Sequence, residues 1–314
     1  MTKTFCGVDV SSRVLDAKVW PGRAELQVEN TPQGVAELAA WCRGQGVELV
    51  VMEATGGYER QAFRLLWAHG MAAAIVNPRQ VRRFAEAMGL LEKTDRIDAG
   101  VIGWYASVKG IGPEAPQPAA QEQLAAAVTR LGQLTALKVA QDNQRRLVED
   151  AFVQASFDAI LRPVKAEIRR LETRIAELLQ ADRLWRELDQ VFRQTKGVAD
   201  RSVARLMADL PEIGTLTGKE VAKLVGVAPL AKDSGKHAGR RSIRGGRSGV
   251  RGLLYVVAGV VARFEPDYIA FRQKLLDAGK PRKVVRIALA RKLLVRLNAK
   301  ARDVRNALAT PIAA

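Results

Sequence analysis

The first hundred residues carry short apolar runs that alternate with amphipathic segments. Five of the apolar runs predict strands, at residues 4–10, 15–20, 24–28, 48–53 and 72–76. The helical spacing of apolar positions predicts four helices, at about 31–44, 60–69, 79–87 and 95–108. Three early strands followed by alternating helix and strand indicate an α/β fold, in which helices pack on one mixed sheet.

Beyond a linker at residues 110–118, which is rich in glycine and proline, the pattern becomes helical over residues 119–190. A seam of apolar residues follows the heptad spacing of a coiled coil: Val164, Ile168, Leu171, Ile175 and Leu178. Pro163 lies just before the seam and is expected to break the helix. The seam fits a helical hairpin within one domain and a contact between two chains equally well.

The third region, residues 191–305, predicts short helices that meet at glycine turns, and a last helix at about 281–305. The turns at 195–202 and 212–215 resemble a helix-hairpin-helix, whose turn amides hold phosphate. We therefore expect three parts of the chain: residues 1–109, a coiled-coil-like region at 119–190 and a mainly helical domain at 191–305.

The charge of the chain indicates the class of its partner. Its 314 residues include 50 Lys and Arg but only 33 Asp and Glu, which gives a formal net charge of +17 and a pI of about 10.3. A protein this basic is usually balanced by a polyanion, and nucleic acid is the first candidate. The longest apolar run, residues 253–262, is too short for a membrane span, and the charged N-terminus does not resemble a signal peptide. We expect a cytoplasmic protein.

Cysteine and histidine are too scarce to form a metal site of their own. The chain has two cysteines, Cys6 and Cys42, and two histidines, His69 and His237. This count excludes a disulfide scaffold and a zinc site built on cysteines. Any metal must therefore be held by carboxylates, the ligands that Mg²⁺ and Mn²⁺ prefer.

Four carboxylates occupy positions that suit such a site. Asp9 ends the first predicted strand and Glu53 ends a buried one, while Asp95 and Asp98 share one face of a helical turn. A buried carboxylate costs several kcal/mol unless it is paired or binds a metal. Four converging carboxylates need divalent cations, and two bridged cations could clamp a scissile phosphate.

Each of these residues also has a structural interpretation. Asp9 could cap a turn with Ser11 and Ser12, and Glu53 could pair with an arginine. Asp95 and Asp98 could simply stabilise the N-terminus of a helix, where the helix dipole favours anions. The joint placement of the four, two of them at strand ends, favours the metal site.

The motifs around these residues resemble the DEDD insertion-sequence transposase family, which includes Piv-like DNA invertases and bridge-RNA-guided recombinases. The matching runs are Gly-Val-Asp9, Met-Glu53-Ala-Thr-Gly-Gly-Tyr, Asn77-Pro78, Lys-Thr-Asp95-Arg-Ile-Asp98-Ala and residues 224–235 and 250–255. The resemblance covers nearly the whole chain, in order. It implies a RuvC-like ribonuclease-H fold at the N-terminus, then a long helical region and a mainly α-helical transposase domain.

The resemblance also implies a mechanism and partners. Asp9, Glu53, Asp95 and Asp98 would form a DEDD site for Mg²⁺ or Mn²⁺, and Ser234 would be the nucleophile. The protein would act on double-stranded donor and target DNA as a dimer or tetramer, guided by a structured bridge RNA, in a bacterial nucleoid. From the residues alone, Ser234 lies in a segment typical of a surface turn. His237 or a metal could activate its hydroxyl, and metal activation fits better.

Basic residues cluster after Ser234 and in the last helix. We expect eight of them to contact nucleic acid: Lys236, Arg240, Arg241, Arg244, Arg247, Arg251, Lys283 and Arg286. Binding through them should depend steeply on salt, and if an RNA guides the choice of site, base pairing rather than the protein reads the sequence. Two alternatives remain open: a RuvC-like endonuclease that uses water, and a non-catalytic basic protein that packages nucleic acid.

Overall fold

The computed structural model describes residues 3–90, 95–231, 233, 239 and 241–310, and for residues 95–97 the backbone only. The chain divides into two compact units, Met1–Gln117 and Pro118–Ala314. We call them unit 1 and unit 2. The glycine- and proline-rich linker expected at residues 110–118 lies where unit 1 ends.

Unit 1 is an α/β unit whose strands fall where the apolar runs predict them. Its elements are β1 (Phe5–Val10), β2 (Val14–Trp20), β3 (Glu25–Glu29), α1 (Pro32–Gly44), β4 (Leu49–Glu53), α2 (Glu59–Ala68), β5 (Ala73–Val76), α3 (Pro78–Ala87) and α4 (Asp95–Lys109). The sheet has the order β3-β2-β1-β4-β5. The first three strands are antiparallel, and β1, β4 and β5 are parallel. This order and these strand directions agree with the predicted ribonuclease-H fold.

Local sequence signals explain where the helices of unit 1 begin. The Thr31 hydroxyl accepts a hydrogen bond from the Gly34 amide at 3.2 Å, and Pro32 occupies the first turn of α1. Asn77 caps α3 in the same way, because its side chain accepts from the Arg79 amide at 2.9 Å. Separate apolar clusters cover the two faces of the sheet, one including residues of α1 and α2 and the other residues of α3 and α4.

Unit 2 is helical. Its helices are α5 (Ala119–Arg145), α6 (Ala151–Ala181), α7 (Arg183–Arg193), α8 (Asp200–Asp209), α9 (Gly218–Val225), α10 (Ser248–Phe264), α11 (Pro266–Asp277) and α12 (Arg282–Ala309). The long helical region expected at 119–190 is thus three helices. Buried side chains from α5 through α12 belong to one apolar cluster. Within the described ranges, none of the helices has the length and apolar composition that a membrane crossing needs.

The heptad seam lies inside a hairpin of α5 and α6. Val164, Ile168, Ile175 and Leu178 are buried in the same cluster as apolar residues of α5, and Leu171 packs against that cluster. The prediction that Pro163 breaks the helix is wrong, because α6 continues through it. Pro163 and Ala159 are both exposed, so water can satisfy the carbonyl that loses its amide partner.

Candidate active site

Asp9 and Glu53 lie side by side at the carboxyl edge of the sheet. The parallel register of β1 and β4 pairs Val8 with Met52, so the next residue of each strand is the acidic one. Both carboxylates are half-buried, and the Val10 amide donates to Asp9 Oδ1 at 3.0 Å. The strand register, rather than any loop, fixes these two side chains as neighbours.

Helix α4 lies directly on β1 because glycines replace side chains at the contact. A Cβ atom at Gly7 would stand 2.0 Å from the Ala99 carbonyl oxygen and 2.5 Å from the Gly103 amide nitrogen. Such distances are far inside van der Waals contact, so only glycine at position 7 permits this approach. The packing holds α4 at a fixed position along the strand.

The direction of α4 brings its first turns toward the same edge. Gly103 contacts Trp20, which pairs with Phe5 at the start of β1, so the later turns of α4 lie over the beginning of that strand. The first turns, which carry Asp98, therefore lie toward Asp9. We call Asp9, Glu53 and Asp98 the acidic edge. The side chain of Asp95, also predicted for the site, lies outside the described residues.

The donors of the acidic edge suit a hard divalent cation. Carboxylate oxygens are the ligands that Mg²⁺ and Mn²⁺ prefer, and Asp9 and Glu53 offer them from adjacent strands. Among the residues whose side chains the structure describes, no three Asp, Glu, His or Cys side chains group closely enough to hold a metal ion. The metal site thus stays a prediction.

The carboxylate of Glu59, which was not predicted from the sequence, holds the loop after Glu53. Glu59 is 6% exposed, and its Oε2 accepts from the Thr55 amide at 3.0 Å, the Thr55 hydroxyl at 3.2 Å and the Gly57 amide at 2.8 Å. Burial raises the pKa of the Glu59 carboxyl, but hydrogen bonds from its own amide, Gly57 and Thr55 outweigh burial, and the pKa is lowered. The sequence pattern that could have identified Glu59 is an acidic residue two positions after the pair Gly56-Gly57.

Asn30 joins the loops that follow β1 and β4, and it too was missed. Its side-chain amide donates to the Ser11 carbonyl at 2.9 Å and to the Tyr58 carbonyl at 3.3 Å. Its backbone amide donates to the Arg13 carbonyl at 2.8 Å. Because Ser11 follows Asp9 closely and Tyr58 follows Glu53, Asn30 braces the two segments that carry the strand-end carboxylates.

Asp16 adds a further carboxylate next to Asp9. The antiparallel register of β1 and β2 places the two residues opposite each other, and Gln27 Nε2 donates to Asp16 Oδ1 at 2.7 Å. Asp16 lines a shallow cleft of about 170 Å³ that Ala99 of α4 also lines. No motif singles Asp16 out, because its place beside Asp9 depends on the strand pairing.

In unit 2, three of the predicted nucleic-acid contacts are engaged within the fold. Arg247 forms two hydrogen bonds with the Glu212 carboxylate, at 2.6 and 2.5 Å, and a third with a backbone carbonyl. Burial raises the pKa of Glu212, but Arg247 and the Glu212 amide outweigh it, so the pKa is lowered. Arg251 donates to the Gly245 carbonyl at 2.5 Å, and Arg241 pairs with Asp233 at 2.7 Å.

The other predicted contacts differ in how far the structure describes them. Arg286 lies across Gly259 of α10, where a Cβ atom would collide with its guanidinium, and its guanidinium carbon is 5.4 Å from the Tyr255 ring centre. Arg244 and Lys283 are exposed, and neither has an ion pair with any described residue. Three predicted residues lie outside the described part of the chain: Ser234, Lys236 and Arg240.

The glycine turns expected to hold phosphate use amides inside unit 2. The Lys196 amide donates to Glu265 Oε1 at 2.9 Å. The Gly214 amide donates to the buried Asn298 Oδ1, also at 2.9 Å. Asn298 donates in turn to the Leu216 carbonyl at 2.8 Å, so this turn is fastened to α12. These two amides serve the packing of helices rather than a phosphate.

A ribonuclease-H-type sheet with acids at its carboxyl edge, joined in one chain to a basic helical unit, is the arrangement expected of a DNA transposase or recombinase. Family comparison agrees: the model for IS110-type DEDD transposases, described as a transposase, matches residues 6–152. A second model, described as the transposase IS116/IS110/IS902 family, matches residues 189–273. The chain belongs to this IS110-type transposase family.

Curated relatives extend over almost the full chain. The pilin gene-inverting proteins of Moraxella bovis and Moraxella lacunata are each 24% identical to it over 317 residues, which cover 94% of both chains. Among solved structures, T. thermophilus RuvC in complex with a Holliday junction substrate is 15% identical, with a TM-score of 0.26. That likeness covers 36% of this chain and 99% of RuvC.

Proposed function

We propose that the protein cuts and rejoins double-stranded DNA as the transposase of an insertion sequence. Asp9, Glu53, Asp95 and Asp98 hold Mg²⁺ or Mn²⁺, and Ser234 is the nucleophile. The observation that carries the proposal is the register of β1 and β4, which makes Asp9 and Glu53 neighbours at the edge toward which α4 directs Asp98. The names of the Moraxella relatives, which invert a pilin gene, support rearrangement of DNA.

In this proposal the residues of the acidic edge bind the divalent cations. Bound divalent cations neutralise charge on a scissile phosphate and lower the pKa of an attacking hydroxyl. Asp9 and Glu53 supply oxygen ligands from rigid strands, and Asn30 and Glu59 hold the loops that follow those strands. Rigid support of this kind keeps catalytic groups in a productive geometry.

The serine accounts for rejoining as well as cutting. The Ser234 oxygen would attack phosphorus and lose its proton, while a DNA oxygen leaves and becomes a free hydroxyl. The phosphoserine ester keeps one phosphodiester-type bond for each bond broken. A hydroxyl of a second DNA end can therefore attack that ester, release Ser234 and restore a continuous strand without an external energy source.

DNA and a guide RNA are the proposed partners, and the protein is proposed to act as a dimer or tetramer. The net charge of +17 supports binding along phosphate backbones. Arg244 and Lys283 are the predicted contacts whose side chains are exposed without an ion pair among the described residues. If a structured RNA selects the site, base pairing supplies specificity and these cations contact backbone alone.

A recombination assay on donor and target DNA tests the role of the carboxylates. We expect Asp9→Asn, Glu53→Gln and Asp98→Asn each to lower the strand-cleavage rate by at least about 100-fold, since each weakens the binding of the cations whose positive charge stabilises the transition state. Glu37→Gln is the matched control, because Glu37 is an exposed acid on α1. Normal cleavage by any of the three variants would remove that residue from the site.

Trapping of a covalent protein–DNA adduct tests the nucleophile. The wild-type protein should form an adduct on Ser234, and Ser234→Ala should form none. Ser242→Ala is the control, because Ser242 is an exposed serine eight positions further along the chain. An adduct mapped to another residue would disprove the serine assignment, and cleavage with no adduct in the wild type would favour a nuclease that uses water.

A further inference from the structure

We infer that Tyr58 is a contact residue on which an unpaired nucleobase stacks beside the acidic edge. The inference rests on the proposed function, since it assigns a nucleic-acid contact to the same edge. Tyr58 is 57% exposed, although an aromatic ring of this size is usually buried at least in part. Its loop leaves the carboxyl end of β4 immediately after Glu53. The Tyr58 carbonyl also shares the Asn30 side-chain amide with the Ser11 carbonyl, so the backbone of Tyr58 lies near the segments that follow both strand-end acids.

The loop that presents Tyr58 is firmly built. Its start is held by Glu59, whose carboxylate accepts from Thr55 and Gly57, and its end is held by the Asn30 amide on the Tyr58 carbonyl. An additional bond joins the Ala54 amide to the Val76 carbonyl at 3.1 Å. An exposed ring on a loop held by these hydrogen bonds loses little conformational entropy when a base binds, which is the advantage of a preorganised contact.

Stacking alone would not overcome repulsion between the carboxylates and a phosphate chain. Exposed arginines on the same edge offset that repulsion. Arg60 follows Tyr58 at the start of α2, and Arg79 lies in the first turn of α3, which begins right after β5. Because Glu53 pairs with Val76 at the end of β5, α2 and α3 both start at the edge that carries Asp9 and Glu53.

An aromatic ring flanked by arginines is the usual means of holding a single strand without reading its sequence. The other strongly exposed aromatic rings among the described residues are Phe152, which is 85% exposed, and Phe264, which is 56% exposed. Both belong to unit 2 and follow no strand end. Tyr58 is thus distinguished from them by its loop after a strand-end acid and by the exposed arginines at the starts of the two helices on the same edge.

Photocrosslinking on the full-length protein tests the inference. Short single-stranded oligonucleotides that carry 5-iodouracil, one of DNA and one of RNA, are bound in EDTA and irradiated, and the crosslinked peptides are identified by mass spectrometry. We expect a crosslink on Tyr58 with at least one probe, and the probe that gives it identifies the strand. Moderate salt suppresses binding that depends on phosphate contacts alone.

Variants of Tyr58 separate stacking from mere exposure. Tyr58→Leu should weaken binding of the probe that crosslinks by roughly 5- to 150-fold, while Tyr58→Phe keeps the ring and should bind as the wild type does. Phe264→Leu is the control in unit 2. Because the Tyr58 side chain is exposed, the melting temperatures of the Tyr58 variants should equal that of the wild type. The inference fails if Tyr58 carries no crosslink with either probe, or if Tyr58→Leu binds normally.

The Tyr58 crosslink is independent of the metal chemistry proposed for the acidic edge. Glu53→Gln should lose strand cleavage yet keep the Tyr58 crosslink, because no metal is needed for stacking. If Glu53→Gln cleaves DNA normally, Glu53 is removed from the proposed metal site, while a Tyr58 crosslink still supports the contact. If cleavage is lost and Tyr58 gives no crosslink, the metal site survives and the stacking contact does not.

Discussion

The two units use charged side chains in opposite ways. In unit 1 the predicted acids stand at strand ends, where backbone hydrogen bonds set their positions: Asp9 and Glu53 are neighbours because β1 and β4 are paired in that register. In unit 2 several of the predicted basic contacts hold the fold together. Arg247 binds Glu212, Arg251 caps a loop carbonyl, and Arg286 lies across α10.

The difference shows that a cluster of charge in the sequence is weaker evidence than a position in the fold. Arginine has a long side chain with five donors, so it can reach a carbonyl or carboxylate of its own chain and still count toward a basic run. A run of arginines is therefore weak evidence for a binding surface, and the site at the acidic edge stays a prediction.

The largest effect is expected from Gly7→Ala, which tests whether unit 1 depends on close packing to place its acids. The new Cβ would meet the Ala99 carbonyl oxygen at 2.0 Å, so α4 must move away from β1. We expect a loss of about 3 kcal/mol or more in unfolding free energy, and loss of recombination because Asp98 moves with the helix. Chemical denaturation measures the first and the recombination assay the second.

The aromatic pair beside this contact provides a direct readout. Trp20 of β2 and Trp104 of α4 stack with ring centres 5.5 Å apart, so near-ultraviolet circular dichroism reports whether α4 stays docked. Gly44→Ala is the matched control, because nothing lies within 4 Å of a Cβ atom at that helical position. A Gly7→Ala protein with normal stability and an unchanged Trp signal would show that α4 does not hold the acidic edge in place.

The sequence allowed the fold of unit 1 to be predicted almost completely. Its strands alternate with helices in a simple order, and helix starts such as Thr31-Pro32 and Asn77-Pro78 depend on residues close in the chain. The acidic residues could be chosen because strand ends are visible in the apolar pattern. Unit 2 was harder, since a run such as residues 253–262 gives no sign of the helix α10 that it occupies.

Contacts between distant residues account for the rest. Asn30 looks like an ordinary residue before a helix, and only the folded chain reveals that it bridges Ser11 and Tyr58. Likewise, Glu212 lies 35 positions from Arg247, so no local pattern predicts their pairing. Pro163 was misjudged for the same reason, because packing along α5 sustains a helix that local propensity would end.

A smaller loss of stability should distinguish an arginine that bonds within unit 2, such as Arg247, from an exposed one, such as Arg244. Arg247→Ala removes three hydrogen bonds and leaves Glu212 without its guanidinium, so we expect about 2 kcal/mol lower unfolding free energy. Arg244→Ala removes an exposed side chain and should change stability by less than about 0.5 kcal/mol. Denaturant titration of both variants measures the contrast.

Nucleic-acid binding should show the reverse order for the same pair. Arg244→Ala is expected to reduce the slope of log affinity against log salt by about one, as for the loss of one phosphate contact. Arg247→Ala should leave that slope unchanged under conditions where the variant remains folded. Equal slopes for Arg244→Ala and the wild type would show that exposure does not identify the contacting arginines either.

A small effect of the opposite sign to that of Gly7→Ala is expected when a glycine of unit 2 is replaced by alanine. Gly132 lies in the interior of α5, is exposed, and has nothing within 4 Å of the position of a Cβ atom. Alanine there should raise the unfolding free energy by about 0.5–1 kcal/mol, because glycine loses more backbone entropy in a helix. Gly7→Ala and Gly132→Ala thus have opposite signs, because a Cβ atom collides with α4 at position 7, whereas at position 132 it meets nothing and only the gain in backbone entropy remains. A loss of stability in Gly132→Ala, growing with protein concentration, would instead mean that a second chain packs on this face of α5.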